Sequence, residues 1–125
     1  DDYLAFALMM LNNGRHNRER ILSRSSIATM TTDQITLQQK VSSPFAPGFW
    51  DNRGWGLGLS MYTRRNDIAS APGRYGWDGG YGTSWWNDPQ EEMVGLLMTQ
   101  QLWTSPSPPP VCHDFWSLAY CALEE

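Results

Sequence analysis

The residues with the most distinctive chemistry lie between positions 73 and 89, where glycines alternate with aromatic and carboxyl side chains. This stretch contains five glycines, together with Trp77, Asp78 and the pair Trp85-Trp86. Glycines let a backbone approach a ligand closely and direct its N–H groups at developing negative charge, as an oxyanion hole requires. The alternative is an aromatic hairpin whose glycines only relieve crowding between tryptophans, and composition alone favours that alternative.

Side chains that would carry out acyl transfer are missing from this sequence. A nucleophilic serine needs a base beside it, but the only lysine, Lys40, has Leu37 three positions earlier, so Ser-x-x-Lys is absent. The sequence has no Gly-x-Ser-x-Gly elbow either. His16 and His113 are far apart in polar surroundings, which argues against a zinc pair or a histidine triad. We predict no catalytic residue, no metal ligand and no cofactor within the chain.

Two other patterns are open to a chemical interpretation. Three glycines alternate over residues 54–58 with no helix after them, so they indicate close packing and not a phosphate-binding loop. The carboxylate of Asp78 could pair with a second one for glycosidase chemistry. The other candidates, Asp88, Glu91 and Glu92, fall in a predicted turn, where charge is ordinary, and we disfavour that interpretation.

Charge argues against nucleic acid as a partner, and hydropathy argues against a membrane-spanning segment. Thirteen Asp and Glu against nine Lys and Arg give a formal net charge of -4, which is not the electrostatic footprint of a nucleic-acid-binding protein. Apolar runs fall well short of the ~20 residues of a membrane span. A disulfide between Cys112 and Cys121 is disfavoured because a helix would hold them too far apart. Two buried thiols are the expectation, and the compartment stays open.

The first 53 residues predict two helices and a loop. Asp2 can cap a helix that ends at Asn13-Gly14, and Ser23 can cap a second helix with Ile27 on its inner side. Residues 33–53 have little periodicity and predict a long surface loop.

From Gly54 the hydrophobic period changes to two, which predicts a strand with one bare, glycine-rich face. Residues 74–78 and 83–86 predict a hairpin, followed by a turn at Asn87-Asp88-Pro89. The continuously apolar run 93–98 predicts a strand covered on both faces, inside the sheet and not at its rim. A Pro-rich connector then leads to a closing helix capped by Asp114.

These elements predict an α+β fold, with an antiparallel meander of three or four strands, a C-terminal helix packed on it and short N-terminal helices. Residues 1–125 are expected to form a single partial domain. Its parts are a helical part (1–32), a long loop (33–53), an antiparallel sheet (54–101) and a Pro-rich connector with the C-terminal helix (102–125). The predicted core comprises Trp55, Leu57, Leu59, the 93–98 run and Phe115.

At the glycine-rich hairpin the sequence resembles the class C β-lactamase and serine esterase family, which includes penicillin-binding-protein-like hydrolases. Trp77-Asp78-Gly79 falls where β-lactamases carry Lys-Thr-Gly. Further resemblance lies at Asn12-Asn13-Gly14, along residues 54–59 and 92–100, and in the last helix. The resemblance covers only the last third of the family's domain. It implies a partial β-lactamase-like fold, with the catalytic Ser-x-x-Lys and the Tyr-x-Asn-like element upstream.

The resemblance also implies that Trp77, Asp78, Gly79 and Gly80 bind substrate as one wall of the cleft, with the Gly80 N–H as an oxyanion donor. Trp77 replaces the lysine of Lys-Thr-Gly, and that departure favours ester or small acyl substrates, because a cation there would hold a carboxylate.

The expected function is therefore the C-terminal part of an esterase-like serine acyl hydrolase. It would be inactive alone and would act on substrate only when the upstream half completes it, and a chain that begins inside a helical pattern looks like a fragment. The alternative is a stand-alone binding or assembly module without catalysis. In the family the strand at 92–101 pairs with a strand that this chain does not contain. We therefore expect a homo-oligomer or a companion chain at that edge.

Overall fold

A computed structural model describes residues 1–123, which form helices on both faces of an antiparallel sheet. The helices are α1 (Asp2–Leu11), α2 (Arg24–Met30), α3 (Leu37–Ser42) and α4 (Pro110–Cys121), with a 3-10 helix at Phe49–Asp51. The strands are β1 (Arg15–His16), β2 (Glu19–Arg20), β3 (Arg53–Trp55), β4 (Ser60–Tyr62), β5 (Tyr75–Gly79), β6 (Thr83–Asp88) and β7 (Met93–Met98). The α+β class, the antiparallel meander and the C-terminal helix packed on it are confirmed.

The two N-terminal helices follow the local signals in the sequence. The Ser23 hydroxyl accepts a hydrogen bond from the Ser26 N–H at 2.9 Å, which is the predicted cap of α2. Helix α1 ends where Asn13 and Gly14 take positive φ angles of 54° and 88°. Asp2 is the first helical residue and not the cap, because the preceding residue occupies the capping position. Between these helices β1 and β2 form a two-stranded hairpin.

Residues 33–53 are less irregular than the sequence predicts. They contain α3, which begins with a complete capping box: the Thr36 hydroxyl accepts from the Gln39 N–H, and the Gln39 side chain accepts from the Thr36 N–H. The Thr-x-x-Gln spacing was a helix signal in the sequence. The capped helix gives this segment regular structure of its own, so it is not an irregular surface loop.

The single strand predicted over residues 54–61 is instead the hairpin of β3 and β4. The chain reverses at residues 56–59, where the Gly56 N–H donates to the Leu59 carbonyl at 2.9 Å and Gly58 has φ +84°. Glycine there satisfies a turn conformation that L side chains rarely adopt. The sheet therefore has five strands, in the order β3-β4-β5-β6-β7.

The glycine-rich hairpin forms as predicted, with β5 and β6 paired from Tyr75 opposite Asn87 to Gly79 opposite Thr83. Strand β6 continues further than the sequence suggests. Asn87 and Asp88, which were expected in a turn, are strand residues that are 0% and 1% exposed. The Asn87 amide donates to the Ala7 carbonyl at 2.7 Å and so joins the sheet to α1.

Strand β7 is covered on both faces, as predicted, because α1 packs on one side of it and α4 on the other. Its position differs from the prediction. Strand β7 is the last strand of the sheet and pairs only with β6 in the part of the chain that the structure describes. A continuous apolar run reports that helices cover both faces of a strand, but it carries no information on strand order.

Helix α4 begins at Pro110 and not after Asp114. Proline is well suited to the first helical position, since its missing N–H needs no partner there. The inward face of α4 consists of Cys112 and Trp116, which are buried, whereas Leu118 is 69% exposed. Helix α4 therefore packs on the sheet mainly through Trp116.

The core divides between the two faces of the sheet. On the α1 face it comprises Ala7, Met9, Met10, Ile27, Leu59, Met61, Tyr75 and Trp85. On the α4 face it comprises Ala69, Trp86 and Trp116, with Phe115 packed against them. Of the predicted core residues, Trp55 is half-buried and Leu57 is exposed, because the chain turns between them.

The cysteines and the helix lengths complete the description. Cys112 and Cys121 are both free thiols, as expected, but only Cys112 is buried. Among residues 1–123 no helix combines the length and the apolar character that a membrane crossing needs.

Gly95 of β7 provides a test of how α4 packs on the sheet. A methyl group at this position would lie 2.3 Å from two ring carbons of Trp116. That ring has little freedom to move, since its Nε1 donates to the Ser84 hydroxyl at 2.8 Å. We expect Gly95→Ala to lower the free energy of unfolding by about 1–3 kcal/mol, measured by urea denaturation. The matched control is Gly80→Ala, where an added methyl meets open space; equal effects of the two substitutions would contradict this packing.

Candidate functional site

An aromatic cleft of about 990 Å³ opens where β5, the segment before β3 and the connector between β7 and α4 meet. Its aromatic lining comprises Phe45, Phe49, Tyr62, Trp77, Tyr81, Trp86, Trp103 and Trp116. The volume falls within the range of small-molecule sites. The walls are suited to an apolar or aromatic group, and polar and charged side chains also line the cleft and can orient it.

Strand β5 contributes an unpaired edge to this cleft. Strand β4 pairs only with Tyr75 and Gly76, so the edge of β5 is free from Trp77 onward. The Tyr62 N–H donates to the Arg74 carbonyl at 2.8 Å, which fixes the alternation of backbone groups along β5. Because alternate residues direct these groups to the same side, Asp78 turns its N–H and carbonyl towards the space beyond β4.

Gly80 lies just past the end of β5, exposed at the cleft. Within residues 1–123 its N–H donates no backbone hydrogen bond. Its carbonyl accepts a hydrogen bond from the Trp103 N–H at 2.8 Å, so the connector lies directly against this peptide. The free N–H is therefore available to an acceptor that enters the cleft.

Trp77 takes part in an aromatic cluster at one end of the cleft. Its ring meets Trp55 edge-to-face with the ring centres 4.5 Å apart, and Phe45 and Phe49 lie at 5.9 and 6.1 Å. Such contacts stabilise beyond simple burial, by about 0.5–1.5 kcal/mol per pair. The cluster fixes the loop that carries both phenylalanines to the end of β5.

The carboxylate of Asp78 holds together two strands and a helix. Its Oδ1 accepts hydrogen bonds from the Trp86 Nε1 at 2.9 Å and from the Ser84 hydroxyl. The same hydroxyl accepts from Trp116 Nε1 on α4. The four predicted residues thus lie together at the cleft, where Trp77, Asp78 and Gly80 line it and half-buried Gly79 connects them.

Two arginines that the sequence did not single out lie close to the ring of Trp86. The guanidinium carbon of Arg74 is 4.8 Å from the centre of the Trp86 ring and 4.1 Å from that of Trp116. The guanidinium carbon of Arg53 is 5.4 Å from Trp86 and 4.7 Å from Tyr62. Both arginines line the cleft. The only sequence signal for this arrangement is the presence of arginines near aromatic residues. That pattern is common, so it does not identify a site.

Arg74 is a buried cation, only 2% exposed. Burial lowers the pKa of its guanidinium, while the nearby tyrosines and the charges of Asp78 and Asp88 raise it. Its Nη1 donates to the Ala69 carbonyl. Its Nε is buried and has no partner within residues 1–123. The aromatic faces, the carbonyl and two distant carboxylates together stabilise the charge.

The nucleophilic and basic groups at the cleft do not form a catalytic pair. Burial raises the pKa of the Cys112 thiol, and the charge of Asp78 raises it further, so it stays protonated and unreactive. His113 is 67% exposed and lies 3.6 Å from the Asp67 carboxylate at the rim. That distance is longer than a hydrogen bond.

Asp33 anchors the segment that carries Phe45 and Phe49 to the sheet. Its Oδ1 accepts hydrogen bonds from the Trp55 N–H at 3.0 Å and from the Ile35 N–H at 3.1 Å, and its Oδ2 pairs with Lys40. Burial raises the pKa of this carboxyl, but the hydrogen bonds from Lys40 and the two backbone N–H groups outweigh it and lower the pKa. The aromatic wall therefore depends on a charged hydrogen-bond acceptor.

Comparison with known proteins places this geometry in a family. Residues 1–110 match the family model described as Beta-lactamase. The chain belongs to the β-lactamase family. The chain is also 38% identical over 107 residues to protein Rv1367c of Mycobacterium tuberculosis (strain ATCC 25618 / H37Rv). The match covers 80% of this chain but 26% of that protein.

Solved structures share the fold of this β-lactamase-family chain. The LovD6 mutant of simvastatin synthase from Aspergillus terreus superposes with a TM-score of 0.69 at 19% identity, over 95% of this chain and 32% of that one. EstCE1, a hydrolase with promiscuous acyltransferase activity, gives a TM-score of 0.56 at 22% identity, over 82% of this chain and 25% of that one. In both cases the chain matches about a third or less of the larger structure.

Asp33 yields a prediction with a defined pH dependence. We expect Asp33→Asn to lower the free energy of unfolding at pH 7 by about 1 kcal/mol, since hydrogen bonds to a partly exposed carboxylate are lost or weakened. The folded-state pKa lies below the unfolded value of about 3.9. The carboxylate's contribution is therefore complete above about pH 5 and is lost as pH falls through the folded pKa.

Urea denaturation followed by tryptophan fluorescence at about pH 7 and about pH 2.5 measures both effects. The exposed Asp51 on the same segment supplies the matched control, Asp51→Asn. A deficit of Asp33→Asn that is as large at the lower pH as at neutral pH would show that the charge is not responsible.

Proposed function

We propose that this chain forms the C-terminal wall of the substrate cleft in a serine acyl hydrolase that acts on esters. It is one part of a single catalytic domain and is inactive without the upstream part. The observation that carries the proposal is the free backbone edge from Trp77 to Gly80, which ends in an unpaired N–H beside an aromatic cleft.

The unpaired Gly80 N–H is suited to one specific task in acyl transfer. The tetrahedral intermediate of ester hydrolysis carries a negative oxygen, and backbone N–H groups held rigidly at that oxygen stabilise it. Two neighbours restrain this peptide, the turn in which the Gly82 N–H donates to the Gly79 carbonyl and the connector at Trp103. In this proposal Gly80 supplies one oxyanion donor, and the peptide of the upstream nucleophile supplies the other.

Two observations support ester or acyl substrates over β-lactams. Trp77 stands where β-lactamases carry the lysine of Lys-Thr-Gly, and its ring is packed among aromatic neighbours. One of the structural relatives named above is described as a hydrolase with promiscuous acyltransferase activity. A non-catalytic binding module with this fold is the second candidate, and family membership favours the hydrolase.

Expression of a polypeptide extended upstream of Asp1 tests the proposal. We expect the extension to contain Ser-x-x-Lys and the longer protein to hydrolyse a chromogenic ester such as p-nitrophenyl butyrate, with little turnover of a chromogenic cephalosporin. The isolated 125-residue chain should hydrolyse neither. In the longer protein Gly80→Pro removes the N–H and should lower kcat by about 10²–10³ with little change in KM.

Gly80→Ala is the matched control, because it keeps the N–H and its methyl meets open space. Comparable activity of the proline and alanine variants would rule out Gly80 as the oxyanion donor. Ester turnover by the isolated chain would overturn the wider proposal.

We also propose that the outer edge of β7 pairs with another polypeptide, either a second copy of this chain or a companion chain. Within residues 1–123 that edge pairs with no strand, and an apolar open edge is a template for pairing. Tyr3, Leu4, Phe6 and Leu8 of neighbouring α1 are exposed and extend the apolar surface.

The isolated chain should therefore self-associate at tens of micromolar, as measured by light scattering after size exclusion. Met98 of β7 is 59% exposed, so Met98→Lys places a charge at the edge without disturbing the core and should shift the chain towards monomer. Leu118→Lys, at a 69% exposed site on α4, should have no such effect. A wild-type chain that stays monomeric at these concentrations would disprove pairing of β7 with a second copy of this chain.

A further inference from the structure

Arg53 is a cation in the wall of the cleft with most of its hydrogen-bonding capacity unused. Its guanidinium lies against the faces of Phe49, Tyr62 and Trp86, with its central carbon 5.1, 4.7 and 5.4 Å from the ring centres. Its Nη2 donates to the Tyr62 hydroxyl at 2.6 Å. These contacts hold the plane of the group and leave its remaining N–H groups free.

The free donors of Arg53 are open to the cleft. A guanidinium has five N–H donors, and the bond to Tyr62 is the only one that its side chain makes within residues 1–123. The buried side-chain nitrogens without a partner in that range belong to Arg74 and Trp103, not to Arg53. The unused N–H groups of Arg53 therefore reach accessible space, and Arg53 lines the cleft.

The carboxylates at the cleft are committed to other groups. The Oδ1 of Asp78 is occupied by Ser84 and Trp86, and the charge of Asp78 acts on buried Arg74. Asp67 lies at the rim beside His113. Among residues 1–123 no carboxylate lies within 4.0 Å of Arg53.

We propose that Arg53 binds a carboxylate carried by the substrate, so that the ester acted on has an aromatic or apolar body and a free carboxylate. A planar guanidinium fixed by aromatic faces suits a bidentate carboxylate. Arg53 lies on β3 and lines the same cleft as Trp77, at a position different from that of the Lys-Thr-Gly lysine. The ester linkage rests on the proposed function above, whereas the carboxylate site depends only on the cleft.

Equilibrium binding of two isosteric probes, 3-phenylpropanoate and neutral 3-phenylpropanamide, tests the proposal without any turnover. With the purified 125-residue chain at low salt, followed by tryptophan fluorescence, the carboxylate should bind at least about tenfold more tightly than the amide. Arg53→Gln should reduce that preference to about one, and Arg53→Lys should retain part of it. The exposed Arg64 provides the matched control, since Arg64→Gln should leave the preference unchanged.

Urea denaturation establishes that each variant is folded before binding is compared. Equal affinity of the two probes for the wild-type chain, or failure of both to bind, would overturn the role of Arg53. Either result leaves the ester hydrolysis of the extended protein to be judged by its own assay. A preference that survives Arg53→Gln but is lost when Arg64 is replaced would place the anion outside the cleft.

Discussion

The burial of one guanidinium constrains most of this structure. Arg74 lies inside the protein, and no carboxylate within residues 1–123 forms an ion pair with it. Moving a charge out of water is costly unless its surroundings replace the solvent. Trp86 from β6 and Trp116 from α4 supply aromatic faces on its two sides. Because both rings contact the same cation, Trp116 of α4 is held close to Trp86 of β6, and both rings line the cleft.

The cation and the carboxylate at the centre of the molecule work together. Asp78 accepts from Trp86 and, through Ser84, fixes the indole of Trp116. Hydrogen bonds at the edges of the two indole rings thus orient them. Their faces remain available to contact Arg74. This wall of the cleft therefore rests on a polar network and not on apolar packing alone, which makes its geometry sensitive to single substitutions.

Local sequence signals were sufficient for the fold class and for the β5–β6 hairpin, but not for features that depend on contacts distant in sequence. Ser23 and Gly14 marked helix ends, since caps and left-handed turns are short-range. Residues 54–61 alternate like a strand, and only the positive φ of Gly58 in the structure shows the reversal. The edge position of β7 is a matter of strand order, which no local pattern encodes.

The same limit applies to the site. The sequence drew attention to residues 77–80 by their glycines and by the resemblance to a known family, and the structure places them together at one cleft. It gave no indication of Arg53 and Arg74, because their stacking arises only when the sheet brings β3 and the residue before β5 close to Trp86 of β6. Cation stacking has no sequence period, so a structure is needed to find it.

The hydrogen bond from Trp103 to the Gly80 carbonyl has a consequence for how such a pocket can diversify. The segment that contacts the Gly80 peptide is a proline-rich, solvent-exposed loop that contributes nothing to either hydrophobic core. Insertions or deletions in that loop can lengthen or shorten the pocket at little thermodynamic cost. Related sequences could therefore diverge in the size of molecule they accommodate while the sheet beneath stays the same.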